Sequence, residues 1–237
     1  IFVSKATKES VTNKSNLLDR SSNLKDIVIY NGVPKVEITQ DENDIDALFE
    51  KNSKDTFLIG MMSRIESYKG HMDLVKGFNK LPKNVKDKFK IYFIGEGNEE
   101  EIKNLKKIIL SENIEKYFTF TGYIKLDSTL IASKLDLLLS LTRTYEGFGL
   151  SIVEAMSVGT PVMATNVGAV SEYLNKYNST LIEASNVDQI TKELKNFAEN
   201  KVLWDKRAEI GKKDILEKFN SELMAKNYLN HFLQNLN

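Results

Sequence analysis

The sequence predicts an α/β fold: a parallel sheet with helices on both faces. Two observations predict it. From residue 56 onward, short apolar runs alternate with stretches of helical spacing, the rhythm of βα units rather than of hairpins. Apolar residues make up 41% of the 237-residue chain, enough for a packed core.

The elements follow in order. Ile1–Ser4 reads as the end of a buried strand, and residues 5–20 are polar with room for a short helix. Ile27–Tyr30 is a second short strand, halted by the turn signal Asn31-Gly32-Val33-Pro34. Residues 35–55 are acidic and aperiodic, a connector with one helical turn at Ile45–Phe49. Strands are expected at Thr56–Met62, Phe89–Ile94, Phe118–Phe120, Leu135–Leu141, Pro161–Ala164 and Thr180–Ile182. Helices are expected at His71–Leu81, 98–111, Ser128–Ser133, Leu150–Val158 and Val170–Leu174, then near 187–199, 201–218 and 221–235.

Composition excludes several classes of function. Lys plus Arg equals Asp plus Glu at 33 each, so no global basic field draws the chain to nucleic acid. There is no cysteine, hence no disulfide, thiolate metal site or cysteine nucleophile, which fits a reducing cytoplasm. The two histidines, His71 and His231, are far apart, so a multi-histidine metal site is excluded. The longest apolar run, about Leu135–Leu141, is interrupted by Asp136 and falls well short of the roughly 20 residues of a membrane span.

Ligands of parallel α/β sheets bind beyond the carboxyl ends of the strands. Four constellations sit there. Thr144 to Ala155 runs from a strand end through Glu146-Gly147-Phe148-Gly149 into a helix near Leu150 that carries Ser151 and Glu154. Glycines admit close backbone approach, and a helix N-terminus favours anions, so this loop suits a diphosphate. Glu154, about one turn inside the helix, can accept hydrogen bonds from paired hydroxyls such as those of a ribose. The competing reading is a helix with an acidic start, which the dipole favours anyway. In the second, Arg64 and Lys69 can converge on phosphate oxygens, or be two solvated surface cations. The third, Gly95-Glu96-Gly97, has Glu100 where a dinucleotide fingerprint needs glycine, and reads as a tight turn beside the cleft. The fourth, Asn166 to Glu172, places Gly168 either toward the cleft or in a plain turn with Glu172 exposed. Asp44 and Asp46 resemble paired metal ligands but lie in the connector, away from any strand end. His71 reads as capping or packing at a helix start.

These motifs, in this order, resemble glycosyltransferase family 4, the retaining enzymes of the GT-B fold. The residues that carry the resemblance are Arg64 to Lys69-Gly70, Gly95-Glu96-Gly97, Phe120-Thr121-Gly122-Tyr123, and Glu146-Gly147-Phe148-Gly149-Leu150 through Glu154-Ala155-Met156 to Gly159-Thr160-Pro161-Val162. Asn31-Gly32-Val33 matches the family's link into its second domain. The match covers about residues 27–182 and departs from the family at Val167-Gly168-Ala169, where two adjacent glycines are usual.

The resemblance implies a Rossmann-like C-terminal half of a GT-B fold. Residues 1–26 would be a remnant of the N-terminal acceptor domain, 27–220 the nucleotide-sugar-binding domain, and 221–237 a helix crossing back. Arg64 and Lys69 would bind the donor diphosphate and Glu146 the transferred sugar, these three being the catalytic set. Gly149 and Leu150, with Gly147, Phe148 and Ser151 around them, would hold the diphosphate. Glu154 would hold the ribose, and Gly122, Tyr123 and Ile124 would flank the base. No metal or other cofactor is expected. The expected donor is a UDP-sugar and the acceptor a glycan or lipid-linked molecule. The expected location is cytoplasmic, with peripheral attachment at the inner membrane face. A nucleotide-sugar epimerase, a sugar phosphorylase and a non-catalytic nucleotide-binding partner are the alternatives on the same fold.

Overall fold

The computed structural model describes residues 1–12, 26–35, 45, 47–49 and 55–234. Its centre is a six-stranded sheet of β1 (Phe57–Met62), β2 (Phe89–Ile94), β3 (Phe118–Gly122), β4 (Leu137–Ser140), β5 (Val162–Thr165) and β6 (Thr180–Ile182). All neighbours pair in parallel, in the order β3-β2-β1-β4-β5-β6. The described helices are α1 (Lys5–Thr12), α2 (His71–Asn79), α3 (Lys83–Lys86), α4 (Glu99–Ser111), α5 (Ser128–Ser133), α6 (Leu150–Val158), α7 (Val187–Glu199), α8 (Lys201–Lys218) and α9 (Ser221–Gln234).

Successive strand residues face opposite sides, and the two apolar cores follow from that. Ile59 and Met61 of β1, Phe89, Ile91 and Phe93 of β2, and Leu137 and Leu139 of β4 pack with α2, α4 and α7. Leu58, Tyr92, Ile94 and Leu138 point the other way, onto α5, α6 and the end of α8. The expected helices on both faces are therefore present.

Side-chain caps mark the starts of several helices, α4 and α5 among them. Asn98 accepts from Glu100 N and Glu101 N at 2.9 and 3.3 Å ahead of α4, and Asp127 accepts from Thr129 N and Leu130 N ahead of α5. Each satisfies first-turn N–H groups that lack a partner within the helix.

Several expectations need correction. Ile1–Ser4 and Ile27–Tyr30 do not join the sheet. They meet each other in one parallel bridge, Phe2 with Val28, through two hydrogen bonds of 2.9 Å. The strand expected at Leu135–Leu141 shortens to β4, because Leu135 N still bonds back to Ala132 O after α5. Asp136, which breaks the apolar run, accepts Leu58 N of β1 at 2.8 Å. Val170–Leu174 forms only a 3-10 turn, Val170–Glu172. α3 and the 3-10 turn Ser67–Lys69 were not foreseen. Gly95-Glu96-Gly97 is not a tight turn. It stays beside the segment after β1, with Ser63 N on Ile94 O at 3.0 Å and Ile65 N on Glu96 O at 2.8 Å. Both glycines are required there: an added Cβ would meet Ser63 O at 2.4 Å or Ile65 O at 2.2 Å. Asp44 and Asp46 lie outside the described residues. Among the described residues, no group of three acidic or histidine side chains is arranged to hold a metal ion, and no helix is long and apolar enough to cross a membrane.

Candidate active site

The strand order sets the site. From β1 the chain winds outward through β2 to β3, then returns to the opposite side of β1 as β4. The reversal leaves a crevice beyond the carboxyl ends of β1 and β4, where ligands of such sheets bind. The segment after β1 carries Arg64 and Lys69, and the segment after β4 carries Glu146. Gly70 lets them meet: its φ is +81°, and a Cβ there would lie 2.1 Å from Leu141 O.

Lys69 Nζ lies 2.9 Å from Glu146 Oε2, with the two side chains only 18% and 17% exposed. Thr142, fully buried at the end of β4, donates to the same carboxylate oxygen at 3.1 Å. Thr165 Oγ1 in turn holds the Thr142 carbonyl at 2.6 Å. Arg64 is set differently from Lys69. Its side chain is 70% exposed, with the guanidinium 2.8 Å from Glu66 and 3.0 Å from the Tyr68 hydroxyl. A held cation and an exposed one therefore share one cleft.

That cleft has a volume of about 450 Å³ and is lined by Val3, Met62 to Arg64, Lys69 and Glu146 to Ser151. α6 opens on it from Gly149, whose φ of +81° turns the loop into the helix. Ile152 and Val153 both reach the cap carbonyl of Gly149, at 3.0 and 3.3 Å, so among the described residues the N–H groups of Leu150 and Ser151 are the ones left free at the positive end of the helix. Gly147, Gly149, Leu150 and Ser151 all line this cleft. Phe148 lines the cleft through its backbone. Its ring is buried against Tyr30, Tyr173 and Phe219.

Glu154 is not among these lining residues. It faces the start of α5, where burial raises its pKa and the nearby Asp127 adds to the rise, while the Ser128 hydroxyl acts in the opposite sense. Gly122 has φ +68° with open space around it, and Tyr123 is 70% exposed. Tyr123 lines an adjoining recess of about 500 Å³ with Ser63, Arg64, Glu66 and Ile94 to Asn98. Ser63 and Arg64 thus border both spaces. Ile124 is buried in the core and presents no side chain to the recess.

Four residues support the site through contacts that the sequence reading did not assign. Thr142 is one. Gly168 is another: it packs on the Glu146 backbone, and the Ala169 N–H holds Glu146 O at 2.9 Å. Ala169 has φ −79°, so this turn does not need the second glycine usual in the family. The third is Glu172, which one of the two readings of this turn left exposed. Its carboxylate accepts Lys5 N at 3.0 Å, Ala6 N at 2.8 Å and the Tyr30 hydroxyl at 2.7 Å. The fourth is Arg143, which forks onto buried Asp73 of α2 at 2.8 and 2.7 Å. Arg143 N also bonds Tyr68 O at 2.7 Å, so this pair ties the Lys69 segment to the Glu146 segment.

Replacing Arg143 with Met leaves the Asp73 carboxylate buried without its cation. The expected cost is about 2 kcal/mol, below that of a fully buried pair because Arg143 is partly exposed. Urea unfolding checks it. The double variant Asp73→Asn/Arg143→Met should recover part of the loss, and strictly additive losses would contradict the coupling.

The family model for glycosyl transferases group 1 matches residues 44–215. An uncharacterized glycosyltransferase of Methanocaldococcus jannaschii is 27% identical over 221 residues, covering 91% of this chain and 54% of that protein. The poly(ribitol-phosphate) alpha-N-acetylglucosaminyltransferase of Staphylococcus aureus is 27% identical over 177 residues, 74% of this chain and 35% of that protein. In solved structures the fold recurs in HepE of Anabaena in complex with UDP and glucose, at a TM-score of 0.78 and 20% identity over 88% of this chain and 57% of that one. It recurs again in a glycosyltransferase of Rickettsia africae, at 0.84 and 22% over 99% and 62%. The chain spans about half the length of the M. jannaschii relative and about a third of the S. aureus one. With the motif residues gathered at the switch point of the sheet and most of the chain matching the family model, the protein belongs to the group 1 glycosyl transferases.

Proposed function

We propose that this chain is the donor-binding part of a retaining glycosyltransferase of the family 4 type, which moves a sugar from a nucleotide-sugar to a glycan or lipid-linked acceptor. The observation that carries the reading is the Lys69–Glu146 pair, held at 2.9 Å beside the start of α6. When the bond from the sugar's anomeric carbon breaks, its electron pair leaves on the diphosphate. Lys69, Arg64 and the first N–H groups of α6 lie where that charge would develop, and fixed cations and dipoles at such a point lower the barrier. Glu146, anchored by Lys69 and Thr142, would hold the sugar over the diphosphate.

Tyr123 would take the base in the recess beyond Arg64, with Gly122 giving it room, and Glu154, which faces the start of α5 rather than the opening by Glu146, would have to take the ribose from that side. Neutralisation by two cations and a helix end leaves no role that requires a metal or other cofactor. A UDP-sugar is the preferred donor, a choice supported by the UDP and glucose in the HepE complex. The acceptor would bind through an N-terminal domain of which residues 1–26 are a part, with residues 27–220 holding the donor and α9 leading back toward that domain. The S. aureus relative's polymer substrate supports a glycan or cell-envelope acceptor. This reading places the protein in the cytoplasm, at the inner membrane face when the acceptor is lipid-linked.

Calorimetric titration with UDP, GDP and ADP tests the donor site. One of the three should bind. Lys69→Ala and Arg64→Ala should each weaken it by roughly tenfold, the worth of one charge-assisted phosphate contact, while leaving the nucleoside unchanged. Binding by none of the three, or equal losses for diphosphate and nucleoside, would overturn the assignment.

A further inference from the structure

Two successive carbonyls in the loop before α6 are held from outside the loop. The Gly147 carbonyl lies 2.7 Å from Ser4 Oγ and 3.1 Å from Thr7 Oγ1. These hydroxyls also lie 2.8 Å from each other. However their protons are shared, at least one donates to Gly147 O. The next carbonyl, of Phe148, accepts the Tyr173 hydroxyl. Tyr173 is buried, and burial together with the Glu146 and Glu172 carboxylates raises its pKa, so the hydroxyl keeps its proton.

A trans peptide unit points its N–H opposite to its C=O. Holding the carbonyls of 147 and 148 therefore also aims the N–H groups of Phe148 and Gly149, the donors of those same two peptide units. Gly149 at φ +81° is the left-handed member that lets consecutive N–H groups converge. A Cβ there would come within 2.9 Å of the Tyr173 oxygen, so hydroxyl and glycine fit as a unit. Among the described residues, neither N–H has a protein acceptor.

We propose that Ser4, Thr7 and Tyr173 are positioning residues that turn these two peptide units, so that the Phe148 and Gly149 N–H groups face the cleft and bind the donor phosphate nearest the sugar. The proposal rests on the donor-site reading above. Phe148 and Gly149 lie between Glu146 and the start of α6, so their N–H groups extend the helix-end donors toward the sugar end of the ligand. It also gives the segment Ser4–Thr7 a part in a site otherwise built from residues far along the chain. Glu172 fixes that segment by holding Lys5 N and Ala6 N, and Tyr145 OH reaches Thr7 Oγ1 at 3.0 Å.

Two variants test it: Tyr173→Phe, which keeps the ring, and Ser4→Ala/Thr7→Val, which removes both hydroxyls. Each is titrated with whichever of UDP, GDP and ADP binds the unaltered chain, and with the matching monophosphate. Each variant should weaken the diphosphate about fivefold to tenfold, the loss of one or two well-aimed donors, and the monophosphate less than twofold. Unchanged diphosphate affinity overturns the proposal. So do equal losses for the two ligands, which a general loosening of the loop would produce. Should Tyr173→Phe fail to fold in a parallel thermal melt, the hydroxyl pair decides alone. Failure of the unaltered chain to bind any diphosphate is seen before a variant is made, and overturns the donor-site reading itself.

Discussion

Gly168→Ala should lower the melting temperature by roughly 5–10 °C and abolish measurable nucleotide binding. Gly168 sits at φ +57°, and an added Cβ would lie 2.2 Å from Glu146 O, 2.7 Å from Glu146 N and 2.9 Å from Glu146 C. All three are backbone atoms, so no rotamer change relieves the clash. The Glu146 backbone must move, and with it the 2.9 Å contact to Lys69. Left-handed backbone alone costs an alanine about 1–2 kcal/mol; the collision adds to that. Gly159→Ala is the control. Its φ is also positive, at +87°, but its Cβ would meet only the flexible Lys212 Cδ, at 3.5 Å. It should cost only the backbone part, about 1–2 kcal/mol, and leave binding unchanged. Equal effects of the two substitutions on stability and binding would refute the claim that Gly168 places Glu146.

Gly168 also shows what a sequence can and cannot say about this site. That a glycine follows β5, facing either the cleft or a plain turn, was legible from the strand-end pattern. Its partner was not, because an apolar period reports how one segment is buried and says nothing of which segment lies beside it. The same limit explains the rest. The βα rhythm placed all six strands of the sheet, yet the order β3-β2-β1-β4-β5-β6, which brings Lys69 to Glu146, is a property of the assembled sheet. Nothing in the sequence links Arg143 to Asp73, since only the contact between the segments after β1 and β4 pairs them. Thr142 carried a usable signal, being a polar residue directly at a strand end. The bridge between Phe2 and Val28 was read as two strands because β-branched and aromatic runs look alike whether they join a ladder or merely cover one. Glu154 was placed on the correct helix, but a position on a helix leaves open which neighbour the side chain meets, and here it is α5 rather than the opening by Glu146.

His71 should make the fold acid-sensitive well above the range of ordinary carboxylates. The residue opens α2 and is 2% exposed, its ring edge-on to Phe93 at 4.9 Å between centroids. Neither ring nitrogen has a hydrogen-bond partner among the described residues. Burial, reinforced by the positive charge of Lys69, lowers its pKa from 6.5 to about 4. The sign follows directly. Above pH 6.5 the ring is neutral in both folded and unfolded chains, and no stability depends on it. Between pH 6.5 and 4 the unfolded chain binds a proton that the folded chain refuses, so stability falls as pH falls. Below pH 4 both forms are protonated, and the loss is complete at about 3 kcal/mol. By pH 5 about 2 kcal/mol of it should already be gone. Carboxylates titrate over the lower part of the same range, so the informative quantity is a difference between proteins. Urea unfolding of the unaltered chain and of His71→Leu, at pH 7 and pH 5, supplies it. Leucine keeps the apolar contact with Phe93 and cannot be protonated, so the variant should lose about 2 kcal/mol less than the parent over that interval. Parallel losses in the two proteins would show that His71 takes up its proton without unfolding the start of α2, and that Lys69 and the Phe93 pocket do not hold the ring neutral.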